Sequence, residues 1–98
     1  MTDIEIIQTE NILFRYFRAV KIHKHFLKSG CPVEYIRNYE LKDISIILNN
    51  MDLAEYEQTV IVFYGNRLHR PPYRGRYRNV WEQTITKIKD EFKSKGII

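Results

Sequence analysis

Ninety-eight residues, 44% hydrophobic, make one domain, and a chain this short buries only somewhat more than about 60% of its unfolded surface, leaving room for a single core. The net charge of +4, from 16 Lys and Arg against 12 Asp and Glu, permits an anionic partner without demanding one. The single cysteine, Cys31, excludes an intrachain disulfide and fits a reducing compartment.

The amino terminus, Met1-Thr2-Asp3-Ile4-Glu5, lacks the positive start and apolar stretch of a secretory signal. The longest tight apolar run, residues 60–64, is too short to span a bilayer, so a soluble, cytoplasmic protein without a membrane partner is expected. Thr2 and Glu5 have capping-box spacing, and a helix starting there can run to Ser29. Its buried stripe is Leu13, Phe17, Val20 and Leu27, with Tyr16 and His23 beside it. Gly30 suits the left-handed position after the helix, Cys31 can then touch Phe26, and Pro32 cannot continue the helix. A short helix over residues 32–39 follows, because proline suits a first helical turn. Leu41, Ile44, Leu48 and Met51 then repeat at helical spacing until Asn49 and Asn50 break the pattern. Asp52 and Glu55 form the next cap signal. Leu53, Tyr56, Val60 and Phe63 share the face behind it, and Gly65 ends the run. A strand over residues 59–64 is the rival for this β-branched, aromatic stretch, but cap, period and stop agree on a helix.

Residues 66–78 contain Pro71-Pro72 and Gly75 and read as a loop near the upper length for a compact domain. Asn79 and Glu82 cap the last helix, whose stripe is Trp81, Ile85, Ile88 and Phe92. Gly96 closes it, and Ile97 can pack on Phe92. The expected fold is all-α: one domain, residues 1–98, of four to five helices, with a basic Arg/Tyr/Pro loop before the C-terminal helix.

Charge distribution says more than charge sum. No acid occurs over residues 58–81, a window that holds Arg67, Arg70, Arg74, Arg76 and Arg78, with His69. Tyr73 and Tyr77 interleave with the arginines. Guanidinium matches phosphate in fork geometry, and a tyrosine ring gives a nucleobase a face to stack on. The plainer alternative is that these arginines keep the surface soluble or pair with the protein's own carboxylates, while both tyrosines pack down to anchor the loop. A second basic stretch, Arg15, Arg18, Lys21, Lys24 and Lys28 with His25, lies on the first helix in a span free of acid. A charged outer face is ordinary for a surface helix. It becomes part of a phosphate-tracking patch only if it shares a side with the loop.

The outline of residues 41–49, a turn, then Leu53 onward also matches a helix-turn-helix, but Asp52, Glu55 and Glu57 at the start of the second helix would oppose a polyanion. Neither a nucleotide-binding glycine loop nor a nucleophile–base–oxyanion set is present. His23 and His25, two apart, point to different faces of a helix and cannot chelate one metal as an i, i+4 pair does. Cys31 reads as a small structural thiol, and the Asp and Glu residues read as caps or surface groups. Neither enzyme nor cofactor is therefore expected, and no metal.

The weight of Ile, Lys, Asn and Tyr suggests an AT-rich genome such as that of a low-GC bacterium, a phage or an archaeal virus. The first expectation is a nucleic-acid-binding accessory or regulatory protein, its ligand RNA or DNA. Its contacts are Arg67, Arg70, Tyr73, Arg74, Arg76, Tyr77 and Arg78, with Arg15, Arg18 and Lys21 from the first helix. The alternative is a small phage or viral module that binds an anionic protein surface, as an anti-CRISPR-like inhibitor of a host factor or a virion assembly component. A homo-oligomer is a third option.

Overall fold

The computed structural model describes residues 4–29 and 38–98, with side chains given for 4–21 and 43–98. Four helices are found among them, and no strand: α1 (Ile4–Ser29), α2 (Asn38–Asn50), α3 (Glu55–Arg67) and α4 (Arg78–Ser94). The fold is all-α, as composition and periodicity predict. No described helix is long and apolar enough to cross a membrane.

At a rise of about 1.5 Å per residue, the 26 residues of α1 run nearly the whole 42 Å length of the molecule. That makes α1 the spine, touching each of the other helices, while α3 and α4 also pack on one another. Leu13 and Phe17 of α1 meet Val60, Ile61 and Tyr64 of α3 and Trp81, Ile85, Ile88 and Phe92 of α4, and α2 adds Ile44 and Ile47. All four expected core residues of α4 are essentially sealed from water. Of the α1 stripe, Leu13 and Phe17 are buried and Tyr16 and Val20 half-buried. In α2, Ile44 is buried and Leu48 packs against the core, as does Met51 just beyond the helix. The expected start of α1 at Thr2, the Gly30-Cys31-Pro32 stop, the helix from Pro32 and the side chains of Lys24, Lys28, His23 and His25 lie outside the described residues.

Helix α4 does not start at the expected Asn79–Glu82 cap: Tyr77 is its N-cap, with no side-chain cap bond, whereas the C-terminal stop follows the expectation. Gly96 is left-handed at φ 73, its N–H bonds to the Lys93 carbonyl at 3.1 Å, and the Ile97 N–H bonds to the Phe92 carbonyl at 2.9 Å. Together these bonds make a Schellman motif.

Helix α3 departs from its expected form in three ways. It begins at Glu55, not at an Asp52 cap. Ala54 is the N-cap, and its backbone N–H is satisfied by Glu57 Oε1 at 3.2 Å, the reaching-back half of a capping box. Its buried face is Glu57, Val60, Ile61, Tyr64 and Gly65, which leaves Tyr56 and Phe63 about half exposed. The run from Val60 to Tyr64 is apolar on every side of a helix, so periodicity could not choose the inward face. Finally, Gly65 does not stop the helix. It sits inside the last turns against Phe17, and a Cβ there would overlap the ring at Cδ2 and Cε2. The stop falls at Leu68, left-handed at φ 60, where the Leu68 N–H bonds to the Gly65 carbonyl and the His69 N–H to the Tyr64 carbonyl.

Two glutamates expected at caps or on the surface are instead buried. Glu57 accepts from Lys87 Nζ at 2.9 Å and from the Ala54 N–H, and the Thr84 hydroxyl lies 3.1 Å from its Oε2 while bonding the Val80 carbonyl at 2.7 Å. Burial pushes the Glu57 carboxyl up, but Lys87 and the Ala54 N–H, with the Thr84 hydroxyl close by, outweigh it and hold the carboxyl below its ordinary value. A depressed carboxylate contributes stability that is complete above its unfolded pKa and lost as pH falls through the folded one. Thermal melts of the wild type should therefore drop between neutral pH and pH values below about 4. In Glu57→Gln the neutral-pH stability should be lower and the acid-induced drop smaller. An unchanged pH profile in that variant would refute the assignment.

Candidate functional site

The loop between α3 and α4 is built on the second buried glutamate. Glu10 of α1 is 3% exposed. Arg70 grips it side-on, with Nε donating to Oε2 at 2.7 Å and an Nη 2.6 Å from Oε1. Trp81 Nε1 donates to the same Oε2 at 2.8 Å. A single carboxylate thereby ties the second turn of α1, the loop and the first turn of α4 together. The guanidinium stands against both oxygens, but the hydrogen bonds converge on Oε2, and Oε1 has the ion pair alone.

From that anchor the chain is held at successive points. Pro71 is fully buried. Its carbonyl accepts from Arg78 Nη1 at 3.2 Å, and Arg78 Nε also bonds Glu82 Oε1 at 2.9 Å. The Gly75 N–H closes a turn onto the Pro72 carbonyl at 2.9 Å, and the Arg78 N–H closes a second onto the Gly75 carbonyl at 3.2 Å. His69 Nδ1 lies 2.8 Å from the Arg70 carbonyl, which can only accept, so that nitrogen carries the proton. Tyr64 stands behind the loop, its ring centroid 5.8 Å from His69, 6.4 Å from Tyr77 and 6.4 Å from Trp81.

The loop is shorter than the expected 66–78, since Arg67 closes α3 and Arg78 opens α4, and the five arginines divide. Arg70 and Arg78 are used internally, one on a buried carboxylate and one on Glu82 and a carbonyl. Arg67 is exposed, with its guanidinium 4.0 Å over the Phe63 ring. Arg74 and Arg76 are exposed and, among the described residues, have no hydrogen-bond or ion-pair partner. The tyrosines divide as well: Tyr77 is 46% exposed and leans on Tyr64, whereas Tyr73 is 83% exposed.

The basic row of α1 meets this surface at one end. Lys21 Nζ donates to the Asn66 carbonyl in the last turn of α3, where a cation complements the helix dipole. Each three-residue step back along α1 turns about 60° around the axis. Arg18 therefore flanks Lys21, while Arg15 lies on the outer side, and both are exposed without partners among the described residues.

Both carboxylates were expected at caps or on the surface, yet the sequence carries a signal for their burial. Glu10 shares an i, i+4, i+7 row with Phe14 and Phe17, and Glu57 shares one with Ile61 and Tyr64. An acid inside an apolar row needs a buried cation or donor. Among the described residues no group of three or more His, Cys, Asp or Glu is placed to hold a metal. No family model, curated protein or solved structure matches the chain.

Proposed function

We propose that this protein binds nucleic acid, as a non-enzymatic accessory or regulatory factor, through the outer surface of the loop over residues 68–77. One observation carries the reading. Arg74 and Arg76 stand exposed, without a partner among the described residues, next to an 83% exposed Tyr73 on a loop pinned from within by Arg70, Pro71 and Arg78. A pinned loop is already ordered, so binding loses little conformational entropy. Arg67, Arg18 and Lys21 extend the positive surface toward α1, and Arg15 adds charge further round. Arg70 and Arg78 serve as supports in this reading and not as phosphate ligands. The proposed setting is the cytoplasm.

Salt dependence tests it. Each phosphate contact contributes about 0.9 to the log–log slope of affinity against salt on duplex and about 0.7 on single strands. The double variant Arg74→Ala/Arg76→Ala should melt like wild type and lower the slope by roughly 1.4 to 1.8. A slope equal to that of wild type removes the proposal.

A second reading, a protein-binding module, is favoured by a different face. Tyr56, Val62 and Phe63 project from α3 at 56%, 49% and 47% exposure. A helix apolar on both sides is more usual where its outer face is covered. A complex with protein that survives nuclease treatment and is lost in Phe63→Ser would favour this reading over the first.

A further inference from the structure

We infer that the ligand of this loop is a nucleic acid with at least one unpaired base, and that this base stacks on Tyr73. The inference rests on the nucleic-acid reading above and specifies the strandedness of the ligand and the one ring that receives it.

The two loop tyrosines look equivalent in sequence and are not equivalent in space. Tyr77 precedes the first turn of α4 as its N-cap, and its ring is tilted 50° against Tyr64, which is itself buried in the core. Its ring helps seat the loop. Beside the Tyr73 ring lies the Arg78 guanidinium, 5.5 Å from the ring centroid. That guanidinium is held in turn by Glu82 and the Pro71 carbonyl. Tyr73 is thus backed by a fixed cation and otherwise open to water. A ring this exposed adds almost nothing to the folded state through burial.

The geometry of nucleic acids then selects among ligands. In a duplex the base faces are covered by neighbouring pairs, and only edges and phosphates are presented in the grooves. A tyrosine ring needs a face, which a single strand, loop or frayed end supplies. Consecutive Cα atoms lie about 3.8 Å apart, so Arg74 flanks the ring directly, and Arg76 follows across the Gly75 turn. Both are free to meet the phosphates on either side of a stacked base. Glu82, the carboxylate that holds the Arg78 guanidinium, is compensated by it and adds no uncompensated negative charge. An acidic peptide would use Arg74 and Arg76 but would leave Tyr73 without a function.

Fluorescence anisotropy on the full chain tests this with two labelled probes. One is a uridine-only strand of about 12 nucleotides, within the site sizes of known single-strand binders. The other is a blunt-ended duplex. Tyr73→Ala should weaken binding to the single strand about 5- to 150-fold and leave its salt slope unchanged, because stacking releases no counterions. Tyr73→Phe should bind as wild type, since stacking needs the ring and not the hydroxyl. Duplex affinity should not respond to either change. If salt-dependent binding is present but Tyr73→Ala binds the uridine strand as wild type, or weakens both probes alike, stacking is overturned while the phosphate-binding reading stands. If neither probe shows salt-dependent binding, both readings are overturned together.

Discussion

Arg70→Ala should be among the most damaging single substitutions in this protein, although it removes a residue from a surface loop. Glu10 is 3% exposed, and the Arg70 guanidinium supplies its compensating positive charge. Without Arg70, the Trp81 N–H would remain as its hydrogen-bond donor among the described residues. Stripping one member from a buried pair typically costs about 3–5 kcal/mol. The Arg70 side chain is 37% exposed, so water can enter the vacated space and the lower end, about 3 kcal/mol, is expected. In a domain of this size that lowers Tm by roughly 12–24 °C. Glu10→Gln should cost less, about 1 kcal/mol, since the amide oxygen still accepts from Trp81 and Arg70 can turn to solvent. Arg74→Ala and Arg76→Ala should each stay within about 0.5 kcal/mol of wild type. Thermal melts of the four variants decide the matter. Equal Tm values for Arg70→Ala and Arg74→Ala would show that the loop is not pinned as described.

The second large effect concerns a single methyl group. Gly65→Ala places a Cβ inside the Phe17 ring, and Phe17 is buried against Tyr16 with their centroids 5.2 Å apart. Alanine is ordinarily the better helix former, by about 1 kcal/mol. Here overpacking outweighs propensity, because α1 and α3 must separate or Phe17 must leave its rotamer. A net loss of about 2–3 kcal/mol is expected, or roughly 10–20 °C in Tm. Phe17→Leu in the same background should recover part of it by vacating the ring's space, although Phe17→Leu alone is destabilising. A double-mutant cycle measures this coupling. If the two changes proved additive, Gly65 and Phe17 would not be in the contact that sets the α1–α3 distance.

Both cases show where local pattern stops informing. Gly65 reads as a helix stop along the chain, because glycine commonly ends helices and a loop follows closely. Its role is set by Phe17, nearly fifty residues earlier, and no local signal reports that approach. The five arginines present one composition and one spacing. Whether a given guanidinium is a support or a contact depends on which carboxylate lies beneath it, and Glu10 is sixty residues from Arg70 in the chain.

What could be read directly were the features whose energetics are local. Hydrophobic period placed Trp81, Ile85, Ile88 and Phe92 inward, because one face of a regular helix must leave water whatever it packs against. Backbone conformation placed Gly96 after α4, because that residue must be left-handed. The all-α class follows from several such segments in one short chain. Tertiary structure alone decided which side of α3 faces in, since residues 60–64 are apolar all round and only the packing of α1 and α4 breaks the tie. It alone decided that Glu10 and Glu57 are interior, since burying a charge is favourable only once distant donors converge on it. And it alone separated Tyr73, left in water, from Tyr77, leaning on Tyr64. That difference is one of contact, and residues adjacent in sequence carry no record of what will lie across from them.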